Sequence, residues 1–136
     1  MEQRVLGKCG PKVPVICFGA WPIGGGMGNV DVNQSVATVH AALDSGITFI
    51  DTAEGYQTSE SILGKALAER RHEVVLATKL SGSDHSDTHM RKAIENSLTA
   101  LATDYIDLYQ LHSPQSRWPI AAQMRGLVRQ KEACKI

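Results

Sequence analysis

The sequence predicts a parallel α/β fold, about four βα units behind an N-terminal hairpin. From about residue 31 onward, helix-period and strand-like segments alternate, which is the signature of βαβ units around a parallel sheet. The polar residues Asp51, Lys79 and His112 end successive strand segments at intervals of about one βα unit. Ahead of the units lies RVLGKCGPKVP, two short extended pieces around a Gly-Pro turn, which predicts a hairpin.

The elements follow in order. ICFGAW supplies the first strand of the repeat. DVNQSVATVHAALDSG predicts a helix capped by Asp31, with Gln34 in capping-box position, Val36, Val39 and Leu43 at helical spacing, and Gly46 as a left-handed stop. ITFID is β-branched and aromatic, and too short for a helix. SESILGKALAERR predicts a second helix with Ser59 as cap, Glu60 in the first turn, and Arg70 and Arg71 at the end favoured by the helix dipole. EVVLATK is the next strand. DTHMRKAIENSLTAL is a third helix with Asp87 as cap and Met90, Ile94, Leu98 and Leu101 on its core face. YIDLYQLH follows as a strand, PIAAQMRGLVRQKEA as a weaker fourth helix, and CKI as the first step into another strand.

Composition narrows the function classes. Hydrophobic residues are 43% and charged residues 21%, ordinary for a globular protein. Lys plus Arg and Asp plus Glu are both 14, so no basic field is present to collect nucleic acid or an anionic membrane. Cys9, Cys17 and Cys134 are odd in number and widely spaced, fitting neither a disulfide framework nor a zinc motif. They read as reduced thiols of a cytoplasmic chain. The N-terminus has no signal-peptide pattern, and no apolar run reaches the ~18 residues of a membrane span.

Strand parity locates the chemistry. Phe49 and Asp51 share one face, as do Val75, Ala77 and Lys79, and Leu108, Gln110 and His112. If those faces point into a barrel, an acid, a lysine and a histidine meet at the C-terminal ends of neighbouring strands, where parallel α/β proteins hold their active sites. Tyr56 leaves the Asp51 strand in the following loop. A lysine beside a carboxylate is tolerated because each charge satisfies the other. A positive charge near a tyrosine favours the phenolate left when its proton departs. A histidine can donate to a substrate oxygen or assist proton transfer. The set is suited to protonating a carbonyl oxygen as hydride reaches its carbon.

Other motifs carry less. Gly24-Gly25-Gly26-Met27-Gly28 fails GxGxxG at Asn29 and has no GK[ST] after it, so it reads as a flexible substrate-side loop. His85 and His89, near Asp84 and Asp87, read as a solvated helix start and not a metal site. His40 and His72 read as surface or boundary residues.

The segments GAWPIGG, DTAEGYQTSESILGKAL, VVLATK and SLTALATDYIDLYQLHSP resemble, in order and spacing, the motifs of the N-terminal half of an aldo-keto reductase. The resemblance runs from about Arg4 to the C-terminus. It implies a TIM-barrel (β/α)8 fold of which the first four units are present, and NADPH-dependent reduction of aldehydes and ketones. It implies Tyr56 as the proton donor, Lys79 as its activator, Asp51 as the lysine's partner and His112 as the group orienting the carbonyl. It also implies Gly19, Ala20, Trp21 and Asp51 at the cofactor, and Trp21, Tyr56 and His112 at the substrate. WPIGGG resembles the branch of bacterial stress reductases and potassium-channel β subunits. The sequence departs from the family at Gln57, where glycine usually follows the tyrosine, at Gln115, where aspartate is usual, and at Cys134, where a glycine ends the fourth helix. A TIM barrel typically takes ~250 residues. The expectation is therefore a partial domain over residues 1–136, lacking the later loops that hold the cofactor's carboxamide, pyrophosphate and 2′-phosphate, with cofactor affinity weakened or lost. Two alternatives follow: a truncated chain without independent catalysis, self-associating through open barrel edges, and a binding module of the channel β-subunit type.

Overall fold

The chain opens with an antiparallel hairpin of β1 (Gln3–Val5) and β2 (Lys12–Pro14), in which Arg4 faces Val13. This computed structural model describes residues 1–113 and 115–136. Pro114, from the LHSP motif, lies outside the described residues. The hairpin reverses between Leu6 and Pro11, whose backbones bond at 2.9 Å, as the Gly-Pro turn predicts.

Behind it stands a four-stranded parallel sheet in the order β3 (Phe18–Gly19), β4 (Phe49–Asp51), β5 (Val75–Leu80), β6 (Leu108–Leu111). Helices α1 (Val32–Asp44), α2 (Ser59–Leu67), α3 (Asp87–Ala100) and α4 (Ile120–Glu132) follow strands β3 to β6 in turn. The predicted four βα units behind a hairpin are present. Ile50, Leu76 and Leu80 are buried on one sheet face, in one core with Val39, Leu63 and Ile94 of the helices. The opposite face carries Asp51, Lys79 and Gln110, all partly exposed. Alternation thus turns Ile50, Leu76 and Leu80 to the helix side and Asp51, Lys79 and Gln110 to the barrel-interior side.

Helix α1 begins as expected: Asp31 Oδ1 accepts from the Gln34 N–H at 2.7 Å, and Gly46 adopts φ 83°. Three other boundaries differ from expectation. Thr58, not Ser59, occupies the cap position of α2, with no side-chain cap bond. Ser59 is fully buried; its hydroxyl donates to the Ala20 carbonyl at 2.8 Å and meets Thr52 Oγ1 at 2.8 Å. Buried polar groups on two neighbouring segments are thereby satisfied, a tertiary demand that overrides the local capping preference. Helix α2 also ends at Leu67, short of the arginines. Arg70 pairs with Asp44 and Glu73, and Arg71 with Asp107 at 2.7 Å, so both clamp neighbouring units instead of the helix end. Helix α3 is capped by Ser86, which accepts from the His89 N–H, while Asp87 lies in the first turn and pairs with Arg129.

The CKI segment is not a strand. Cys134 adopts φ 56°, the left-handed conformation that favours glycine, and the Lys135 carbonyl accepts from Ile106 N–H at 3.0 Å. His85 is not solvated either. It is 2% exposed, and its Nδ1 is hydrogen-bonded to Gln123 Oε1, tying α4 to the start of α3.

Candidate active site

Four side chains converge at the C-terminal rim of the sheet. Asp51 is the last residue of β4 and Lys79 the last but one of β5. His112 follows β6 directly, anchored by its N–H to the Leu80 carbonyl at 3.0 Å. Tyr56 sits in the loop between β4 and α2, whose turn is closed by the bond from its N–H to the Ala53 carbonyl at 3.0 Å. In register, Asp51 lies beside Gly19 and Ala77, and Lys79 beside Gln110.

The lysine is the hub. Its ammonium donates to Asp51 Oδ2 at 2.6 Å, to the Thr52 carbonyl at 2.8 Å and to the Tyr56 hydroxyl oxygen at 3.3 Å. An ammonium has three N–H donors, and here each has an acceptor. The Lys79 side chain is 13% exposed, so this saturation decides whether the charge is tolerable there. The other Asp51 oxygen accepts from Gln110 Nε2 at 3.2 Å. His112 Nε2 lies 3.5 Å from the Tyr56 oxygen, with the two rings edge to face at 5.4 Å and 78°. On its other side, His112 Nδ1 meets Ser81 Oγ at 3.0 Å. Chemically, the arrangement aims a positive charge and an imidazole at one phenol oxygen on an exposed rim.

The remaining expected residues are placed differently. Gly19 has no atom within 4 Å of the Cβ it lacks, leaving bare strand beside Asp51. Ala20 is fully buried, with its N–H on the Asp51 carbonyl and its carbonyl taken by Ser59. Trp21 is 48% exposed and packs on Gly26, where any Cβ would lie 2.2 Å from the indole nitrogen. The glycine run therefore seats an aromatic ring. Among the described residues, no hydrogen bond joins Trp21 to the four rim side chains. Gln57 adopts φ 51°, so the loop keeps the left-handed turn without the usual glycine.

Sequence reasoning missed Gln110, Ser81, Glu54 and Cys17. Gln110 shares a strand face with His112 and Ser81 is two residues beyond Lys79, so parity contained the signal for both. Cys17 precedes β3 near the ion pair. Partial burial of its sulfur and the Asp51 carboxylate push the thiol up to about 11, with the Lys79 charge opposing.

A model of the aldo/keto reductase family matches residues 15–136. The chain belongs to this family. It is 44% identical over 133 residues to the aldo-keto reductase YhdN of Bacillus subtilis, covering 88% of this chain and 40% of that protein. It is 32% identical over 139 residues to a probable voltage-gated potassium channel subunit beta of Arabidopsis thaliana, covering 93% and 42%. Among solved structures, the aldo/keto reductase from Klebsiella pneumoniae in complex with NADP and acetate superimposes with a TM-score of 0.84 at 35% identity, covering 92% of this chain and 44% of that one. The chain thus spans less than half the length of these relatives. The fold is the TIM-barrel type of the aldo/keto reductases, represented here by four βα units and the hairpin. No helix among the described residues is long and apolar enough to cross a membrane.

Proposed function

We propose that residues 1–136 form the N-terminal part of an NADPH-dependent aldo/keto reductase domain and carry its proton-donating machinery. The observation that carries this reading is the single Lys79 ammonium held between Asp51 at 2.6 Å and the Tyr56 oxygen at 3.3 Å. Tyr56 gives its proton to the carbonyl oxygen of an aldehyde or ketone. The phenolate left behind faces the Lys79 charge, and Asp51 keeps that charge in place. His112 Nε2, 3.5 Å from the phenol oxygen, orients the carbonyl oxygen. A nicotinamide bound at the rim would supply the hydride. Gly19 and Trp21 would flank its ring beside Asp51, and the bare strand at Gly19 fits a flat group. The relative solved with NADP supports the cofactor class.

Titration of the purified chain with NADPH, followed by fluorescence, tests the reading alongside oxidation of the cofactor by nitrobenzaldehyde. Saturable binding and turnover that disappears in Tyr56→Phe would support a chain that acts alone. Absence of binding at millimolar cofactor would refute independent action. Activity restored by the complementary half of a relative would then show that the proton-donating half is intact but incomplete. Strands β3 and β6 each have one unpaired edge in the described sheet, which supports self-association of a chain acting alone. The likeness to a channel β subunit favours a second reading, a binding module, which capture of a membrane partner independent of Tyr56 would support. The free thiols of Cys9, Cys17 and Cys134 fit a reducing, cytoplasmic location.

A further inference from the structure

Ser81 stands where three parts of the site meet. Its N–H donates to Glu54 Oε1 at 2.6 Å, and its Oγ accepts from the Gly55 N–H at 3.3 Å. Both partners belong to the loop that carries Tyr56. A Cβ on Gly55 would lie 2.9 Å from Ser81 Oγ, so the glycine permits this approach. The same Oγ lies 3.0 Å from His112 Nδ1.

We propose that Ser81 is a positioning residue that holds His112 in the tautomer protonated at Nε2. A serine hydroxyl has one proton to give. With the Gly55 N–H already directed at the oxygen, His112 Nδ1 is the acceptor within reach among the described residues. Donation to Nδ1 leaves Nε2 carrying the ring proton and turned to the Tyr56 oxygen 3.5 Å away. The phenol oxygen then receives hydrogen bonds from Lys79 and from His112, and its own proton has no acceptor in the pair. That proton is free to leave toward a substrate. In the opposite tautomer, bare Nε2 would accept the Tyr56 proton and hold it inside the site. Ser81 thus selects between a donating and a self-quenched tyrosine, a conclusion that rests on the proton-donor role proposed for Tyr56.

The test reads the tautomer directly and needs neither cofactor nor turnover. Long-range proton–nitrogen NMR spectra of the 15N-labelled chain, above the pH at which the imidazoles become neutral, distinguish the two ring nitrogens, with His112 assigned by its loss in His112→Asn. The expected wild-type pattern is a single tautomer protonated at Nε2. Ser81→Ala is expected to shift Nδ1 toward the value of a solvated imidazole and admit the second tautomer, and Ser81→Thr to restore the wild-type pattern. A wild-type His112 protonated at Nδ1, or nitrogen shifts unmoved in Ser81→Ala, overturns the proposal. Should the alanine variant fail to fold, the wild-type spectrum still decides. The expected spectrum together with turnover, in the presence of the complementary half of a relative, that survives Tyr56→Phe would instead refute the proton-donor reading of Tyr56.

Discussion

The Lys79 ammonium touches Tyr56 twice, 3.3 Å from its hydroxyl oxygen and 4.8 Å from its ring centroid. Hydrogen bond and ring contact both draw the phenol toward the cation, while Asp51 holds the cation from the other side. Lys79→Met leaves Asp51 with Gln110 as its remaining side-chain partner. We expect a loss of about 1.5–3 kcal/mol, the usual worth of hydrogen bonds to charged groups. Lys79→Met/Asp51→Asn should lose less than the sum of its two single variants, measured by urea unfolding. Additive losses would show that the two residues do not depend on one another.

Cys17 should be the slowest of the thiols to alkylate. A thiol raised from 9.0 to about 11 holds about a hundredfold less thiolate at pH 8, and the thiolate is the nucleophile. Iodoacetamide labelling followed by peptide mass spectrometry measures the rate. Asp51→Asn removes a charge that disfavours the thiolate, so Cys17 should label faster in that variant. An unchanged rate would place the sulfur outside the field of Asp51.

Glu60, on the first turn of α2, gives a pH dependence of defined sign. Burial pushes its carboxyl above the ordinary 4.5, partly offset by the Thr78 hydroxyl, which donates to it at 2.7 Å. From 4.5 up to the raised value, the folded chain binds more protons than the unfolded one, so stability falls as pH rises through that window. Below it, this contribution is fully favourable. Glu60→Gln keeps an acceptor for Thr78 and removes the charge. Urea titrations between pH 4 and pH 7 should show the variant gaining on the wild type with rising pH, and the reverse trend would mean that the carboxylate form is the better bound.

Cys134 ends its helix at φ 56° without the glycine that such a turn favours. Relief of the left-handed conformation amounts to about 1–2 kcal/mol for a residue with a Cβ, offset by the extra freedom glycine gives the unfolded chain. Cys134→Gly should therefore raise stability by about 0.5–1 kcal/mol in thermal unfolding. A loss would show that the side chain packs favourably enough to outweigh its backbone.

Much of the site was legible because a strand has period two. Reading Asp51, Lys79 and His112 as strand-end residues was enough to set them on one face, and Tyr56 followed from a short loop. The helix starts were less legible. Thr58-Ser59 and Ser86-Asp87 each offer two adjacent residues that can cap, and only tertiary contacts choose between them. Ser59 was claimed by Ala20 and Thr52, groups that no local pattern connects to it. His85 looked solvated beside Asp84 and Asp87 because its partner, Gln123, lies on another helix. Gln110 and Ser81 were visible on the right faces, but their value depends on which atoms need a partner, and that appears only with distances.

The Ser59 contact also bears on how the rim can deform. Its hydroxyl joins the Ala20 carbonyl to Thr52, the Thr58 N–H and hydroxyl both reach the Gly24 carbonyl, and Gly24 lies so close under Tyr56 that a Cβ there would fall 2.2 Å from the Tyr56 carbonyl. The Trp21 and Tyr56 loops are riveted into one plate. Among the described residues, the hydrogen bonds from the segment Ser81 to Ser86 to that plate run through Ser81, to Glu54 and Gly55. A displacement of one side of the rim against the other would therefore fall on the Ser81 contacts and not within the plate.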